Sequence, residues 1–89
     1  MNYTDEDLTG CLCYSLAGHD KGSFYVIISN DHDIVFLADG VNKTVDNPKK
    51  KKLKHIQMIK KKILNSVPYD NTDIKRAIKL FLKEGKEAD

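Results

Sequence analysis

Lysines crowd into one short stretch of this 89-residue chain, where their spacing could bind polyanions. Four are consecutive, Lys49 to Lys52, and residues 43–62 hold nine lysines against one acid, Asp46. Adjacent ammonium groups repel one another unless water or an anion relieves the repulsion. Phosphate groups relieve it and release counterions, which favours binding. The cluster therefore indicates a nucleic-acid partner, and a solvated loop that keeps a small domain soluble is the alternative.

The distribution of charge carries more information than its total, which is only +2. Residues 1–8 and residues 9–42 each sum to -3, whereas residues 63–89 sum to zero. Nearly all of the excess positive charge therefore lies in the lysine-rich stretch. Such asymmetry points to a polyanionic partner for that stretch.

A second candidate site is the segment from Gly18 to Gly22, between two apolar runs. Glycines allow a tight turn in which backbone N–H groups approach a phosphate closely. The side chains of His19 and Lys21 would add contacts. An ordinary hairpin turn is the alternative.

Short apolar runs separated by turn residues indicate the elements that position these sites. The Gly18–Gly22 segment and the sequence from Asn30 to Asp33 have turn chemistry, and Asp39-Gly40 is a hairpin signal. Residues 49–52 are expected to form a charged loop. Five short strands at this spacing predict a small antiparallel barrel or sandwich. The predicted strands cover residues 9–16, 23–29, 34–38, 42–45 and 53–59, with Ile56 facing inward.

The C-terminal part changes to a helical period after Pro68. Asn71 or Thr72 can cap a helix, and Gly85 is a natural stop. The pattern predicts a helix over about 72–84, whose apolar face packs on the barrel or on a partner. The apolar positions at helical spacing are Ile74, Ala77, Ile78 and Phe81, widened by Leu80 and Leu82.

The glycine turn and the segments around it resemble a KOW motif. The resemblance lies in Gly10-x7-Gly18-x2-Lys21-Gly22 and the apolar strand that follows it. KOW motifs occur in SH3-like barrels of ribosomal proteins and transcription elongation factors. Further on, Asp39-Gly40, a basic segment and Lys54-His55-Ile56 are similar to the end of the barrel in the large-subunit ribosomal protein family fourteen-e. In its length and its predicted C-terminal helix, the chain resembles short bacterial KOW-domain RNA-binding proteins.

This resemblance, which covers about residues 8–60 and more loosely the helix, implies a mainly β fold. The expected architecture is a five-stranded SH3-like (KOW) barrel over residues 9–60, after a flexible segment 1–8 and before a linker and helix over 61–89. The implied function is non-catalytic RNA binding in the cytoplasm, on ribosomal RNA or in translation. The predicted RNA-binding residues are Gly18, His19, Lys21, Gly22, Lys43, Lys49, Lys50, Lys51, Lys52, Lys54, His55, Lys60, Lys61 and Lys62.

A protein-docking module is the alternative function, since SH3-like barrels also bind peptides and proteins. The broad apolar face of the helix would then bind a ribosomal or transcription partner. A Tudor-like reader would need an aromatic cage, and the chain has no tryptophan. Among the few aromatic residues, Tyr14 is the best candidate for an exposed base-stacking ring, whereas Phe24, Tyr25 and Phe36 are predicted to be core.

Catalysis, cofactors and metals have little support in the sequence. Cys11 and Cys13 lack the spacing of a zinc knuckle, and no second Cys/His pair complements them. They are expected to be reduced thiols packed in the core, as the N-terminus has no secretory signal. The sequence contains no apolar run long enough to span a membrane, so no membrane partner is expected.

Overall fold

A computed structural model of the chain describes residues 7–60, 63–64 and 70–88. The predicted mainly β fold is confirmed: five antiparallel strands form one sheet, and a helix follows. The strand order is β4-β3-β2-β1-β5. The elements are β1 (Leu12–Ser15), β2 (Phe24–Asp31), β3 (Ile34–Ala38), β4 (Lys49–Lys52), a 3₁₀ helix (Leu53–His55), β5 (Ile56–Lys60) and α1 (Asn71–Ala88).

The connection between β4 and β5 requires the sheet to curl. These strands lie at opposite edges of the strand order, about 19 Å apart in a flat five-stranded sheet. Only the 3₁₀ helix joins them, and the four steps from Lys52 to Ile56 span at most about 14 Å even when extended. The two edges must therefore approach each other, which is compatible with a small barrel-like fold.

Apolar side chains pack on both sides of this curled sheet. The inner core includes both cysteines together with residues from β2, β3 and β5. The outer core lies between the sheet and α1, where Leu12, Val26 and Ala38 meet Ile74 and Ile78. The helix therefore packs on the protein's own sheet, which was one of the two expectations. The inner core consists of Leu8, Cys11, Cys13, Tyr25, Ile27, Val35, Leu37 and Ile56.

The position of α1 is fixed at its N-terminal end. Asp70, rather than the predicted Asn71 or Thr72, caps the helix: its carboxylate accepts a 2.8 Å hydrogen bond from the Asp73 N–H. The Asn71 side-chain oxygen instead accepts a 2.9 Å bond from the N–H of Val45. Gly40, with φ of 82°, lets the helix approach closely, since a Cβ there would collide with the Asn71 backbone oxygen.

The main error of the sequence prediction concerns the lysine run. Residues 49–52 form strand β4 rather than a loop, whereas the strand predicted over 42–45 is only a bridge between Thr44 and Asn47. Lysine has a low intrinsic preference for strands, yet edge strands often carry it because charge discourages further pairing. Residues 53–55 likewise form the 3₁₀ helix, so the last strand begins at Ile56, which faces inward as predicted.

Other boundaries shift by a few residues. The first strand begins at Leu12 rather than residue 9, and β2 extends to Asp31. The helix continues through Gly85 to Ala88, since glycine within a helix costs only about 1 kcal/mol. The predicted flexible segment and linker fall mostly outside the described residues, but Leu8 is buried. No helix in the described part of the chain could cross a membrane.

Candidate nucleic-acid interface

Strand β4 divides four identical lysines between two faces. Lys49 and Lys51 pair with Leu37 and Val35 of β3, whose side chains are in the inner core. Because residues directly opposite in an antiparallel pair share a face, Lys49 and Lys51 point inward; we call them the inner lysines. Lys50 alternates to the other face and is exposed.

The outer lysines are Lys50 and Lys52, which lie opposite Phe36 and Ile34. Both are exposed, and they are about 7 Å apart along the strand. Lys54 follows in the 3₁₀ helix and is also exposed. These ammonium groups are therefore accessible to a polyanion from solvent.

The inner Lys51 is held by the turn between β1 and β2. Its ammonium donates hydrogen bonds to Asp20 Oδ1 at 2.8 Å, Ser15 Oγ at 2.9 Å and the Ala17 carbonyl at 2.9 Å. The Lys51 side chain is only 9% exposed. Lys49 Nζ lies 3.9 Å from Asp20 Oδ2 and is more exposed. The structure thus brings the turn and the lysine strand together, but through an ion pair within the protein.

Asp20 is the acceptor at the centre of this contact. Burial alone would raise the pKa of its carboxyl, but hydrogen bonds from Lys51, Ser15 and Tyr25 lower that pKa to about 2. Burial and the 2.9 Å hydrogen bond to Asp20 raise the pKa of the Tyr25 hydroxyl to about 12. The aspartate is therefore ionised and the tyrosine neutral near pH 7, the states that their hydrogen bonds require.

The glycine turn has the predicted backbone but a different use for its amides. Gly18 and Gly22 have φ of 88° and 89°, a region that favours glycine. The N–H groups of Lys21, Gly22 and Ser23 donate to carbonyls within the protein. Those three amides are therefore engaged within the protein and are not available to a phosphate. The side chains of His19 and Lys21 are exposed.

The remaining predicted residues are dispersed. Lys43 is partly buried and closes a turn with Asp39 through backbone hydrogen bonds. His55 is partly buried, and its carbonyl accepts a 2.8 Å bond from the Leu16 N–H. Lys60, at the end of β5, is exposed and lines a groove of about 400 Å³ against α1. Lys61 and Lys62 lie outside the described residues.

A second basic surface escaped the sequence analysis. Helix α1 has an exposed stripe of Lys75, Arg76, Lys79 and Lys83, with no acid among residues 74–83. The zero sum of charges over 63–89 concealed it, because acids on either side of residues 74–83 offset the basic residues of that segment. Charges summed along a helix at intervals of three and four residues would have revealed the stripe.

Cysteines and aromatics are placed partly as predicted. Cys11 and Cys13 are free and buried in the inner core, as expected, and burial raises the pKa of the Cys13 thiol to about 12. Such a thiol is inert as a nucleophile near pH 7. The ring of Tyr14, the candidate for base stacking, lies 5.7 Å from that of Phe24. Phe36, predicted as core, is only partly buried and belongs to neither core cluster.

The described residues contain no group of three or more His, Cys, Asp or Glu side chains that could hold a metal ion. A scan against protein-family models finds no match, and a search of the curated proteins finds no significantly similar sequence.

Proposed function

We propose that this protein is a non-catalytic RNA-binding protein of the KOW type, associated with the ribosome or with translation. The observation that carries the proposal is the division of β4 into inner and outer lysines. Lys51 fixes the strand, while Lys50 and Lys52 remain exposed. Ammonium groups on a fixed strand have a common direction, so binding orders less of the backbone than it would in a loop.

The glycine turn contributes to this proposal through its side chains. Since the amides of Lys21, Gly22 and Ser23 are engaged, contacts with phosphates would come from the side chains of His19 and Lys21. Lys54 extends the row formed by the outer lysines. Together these groups offer charge without an evident set of base-reading side chains, which favours contact with the phosphate backbone.

The protein-docking alternative loses support from the position of α1. Ile74 and Ile78 are already buried against the sheet. Exposed apolar residues remain at Leu80 and Leu82, which are 51% and 40% exposed. They line two different grooves beside α1, so they do not form one large exposed apolar patch of the kind that marks a protein interface. The exposed lysine row is the more distinctive feature, and it favours RNA.

A fluorescence-anisotropy titration against ribosomal RNA fragments and transfer RNA, at low and near-physiological salt, tests the proposal. We expect the double variant Lys50→Ala/Lys52→Ala to bind more weakly and with less dependence on salt. Loss of two phosphate contacts should reduce the slope of log affinity against log salt by about 1.4 to 1.8. The melting temperature should change little, because both side chains are exposed.

The double variant Lys79→Ala/Lys83→Ala is a charge-matched control, since it removes the same charge from exposed positions of α1. We expect it to reduce affinity less than the β4 variant. Equal losses in both variants would show that RNA responds only to net charge, and the role assigned to β4 would be wrong. A parent protein that binds none of these RNAs even at low salt would refute RNA binding itself.

A further inference from the structure

Phe36 occupies an unusual position for an apolar ring in so small a protein. It lies on the outer face of β3, yet it is absent from the outer core. Helix α1 covers that face around Leu12, Val26 and Ala38. In the described part of the chain, Phe36 remains partly exposed beyond this covered region. Phe36 is therefore a partly exposed aromatic residue on the same side of the sheet as the outer lysines.

The strand register places Phe36 beside the outer lysines. Phe36 pairs directly with Lys50, and Ile34 pairs with Lys52. Directly opposite residues of an antiparallel pair have Cβ atoms about 5 Å apart on one face, and diagonal pairs such as Phe36 and Lys52 are still within reach of long side chains. An aromatic ring and two ammonium groups therefore share one small area of the sheet.

We infer that Phe36 is a stacking platform for an unpaired base of RNA, with Lys50 and Lys52 holding the phosphates on either side of that base. The inference rests on the proposed function and deepens it, because it specifies single-stranded rather than duplex RNA. A ring that lies on a sheet can stack only on a base whose face is free. Bases within a duplex have both faces covered by their neighbours, whereas bases of single strands, loops and bulges can be splayed out.

The other described aromatic side chains of the sheet are engaged within the protein. The Tyr14 and Phe24 rings are 5.7 Å apart, and Phe24 is 6.3 Å from Phe81 of α1. Tyr25 points to the inner core and donates its hydroxyl to Asp20. Phe36 is therefore the described ring that combines partial exposure with flanking lysines. The stacking role predicted for Tyr14 is better assigned to Phe36.

Two conservative variants separate stacking from simple apolar contact. We expect Phe36→Leu to weaken binding of a short single-stranded oligouridine by about 5- to 150-fold, the usual range for loss of one stacked base. Phe36→Tyr retains a ring and should bind like the parent. Binding of an RNA duplex, which needs only the lysines, should be nearly the same in all three proteins.

A fluorescent reporter gives a readout that does not depend on affinity. The chain has no tryptophan, so Phe36→Trp introduces a single one. Stacking of a base on its indole should quench the emission at saturating oligouridine. Val41→Trp is the control, because Val41 is 59% exposed and lines a groove against α1 that contains neither of the outer lysines. Its emission should not change.

The outcomes distinguish this inference from the proposal on which it rests. If Lys50→Ala/Lys52→Ala weakens binding but Phe36→Leu does not, and Phe36→Trp is not quenched, the stacking role is wrong and RNA binding through phosphates stands. If the parent protein binds neither oligouridine nor duplex at low salt, both are wrong. Loss of oligouridine binding in Phe36→Leu, together with quenching in Phe36→Trp alone, supports both.

Discussion

Replacing Lys51 should damage the fold, whereas replacing its neighbour Lys50 should not. The Lys51 ammonium makes three hydrogen bonds of 2.8 to 2.9 Å, one of them to a carboxylate, and its side chain is 9% exposed. The Asp20 side chain is itself only 15% exposed. Lys51→Ala would therefore leave a largely buried carboxylate without its principal cation.

The expected loss of unfolding free energy in Lys51→Ala follows from the burial of the Asp20–Lys51 pair. Removing one partner of a buried ion pair costs about 3 to 5 kcal/mol. Asp20 would keep hydrogen bonds from Ser15 and Tyr25, and Lys49 lies 3.9 Å away, so the lower end applies. A loss of about 3 kcal/mol lowers the melting temperature of a domain this size by about 12 to 24 °C. Lys50→Ala should change the unfolding free energy by less than about 0.5 kcal/mol.

Thermal and urea unfolding, followed by circular dichroism, measure both variants. A double-mutant cycle with Asp20→Asn isolates the pair: once the carboxylate is gone, Lys51→Ala should cost about 1 to 3 kcal/mol less. Similar melting temperatures for Lys51→Ala and Lys50→Ala would refute the division of β4 into inner and outer lysines. Additive losses in the cycle would refute the specific role of Asp20.

Two further predictions concern stability. Because the folded-state pKa of Asp20 is lowered from 3.8 to about 2, its contribution should be complete above pH 4 and lost as the pH falls toward 2. The loss in unfolding free energy should be about 1 to 2 kcal/mol after allowance for solvent screening. Urea titrations between pH 4 and pH 2 measure it. If Asp20→Asn showed the same pH dependence as the parent protein, the assignment to Asp20 would be wrong. Gly40→Ala should destabilise by about 3 kcal/mol, since it combines backbone strain at φ of 82° with a collision against α1. Gly22→Ala is the matched control, because Gly22 has φ of 89° but no atom lies within 4 Å of the added Cβ. Its cost in unfolding free energy should therefore be near ~1 kcal/mol. Equal melting temperatures for the two variants would exclude close helix packing at Gly40.

Local patterns predicted most of the elements because their signals are local. The run from Phe24 to Ile28 is rich in β-branched and aromatic residues, and it lies within β2. The helix followed from the spacing of Ile74, Ile78 and Phe81, which now pack on the outer core. The sequence did not identify Asp70 as the N-cap of α1, because Asp70, Asn71 and Thr72 are all residues that can cap a helix. In the structure the Asn71 side chain is occupied by the N–H of Val45, a contact that no local pattern contains.

The candidate site could be predicted only in part, because its organisation depends on contacts between distant residues. Composition located the lysines, but four identical side chains give no indication of which ones face inward. The distinction arises from Asp20, which lies 31 residues before Lys51 in the chain. Phe36 was assigned to the core because it lies in an apolar strand. Its exposure depends on where α1 stops covering the sheet, and no local pattern contains that information.

The residue that follows β4, Leu53, explains how a run of identical residues keeps one register. A slip of one residue along an antiparallel pair moves every side chain to the opposite face. For β4 such a slip would exchange lysine for lysine, so side-chain type alone would hardly oppose it. The ammonium bound by Asp20, Ser15 and the Ala17 carbonyl occupies a single position on the inner face. A slipped strand would still place a lysine there, but Leu53 would lose both the 2.7 Å hydrogen bond from its N–H to the Asp33 carbonyl and its packing against the inner core. Leu53 thereby determines which lysines face Asp20 and which face solvent.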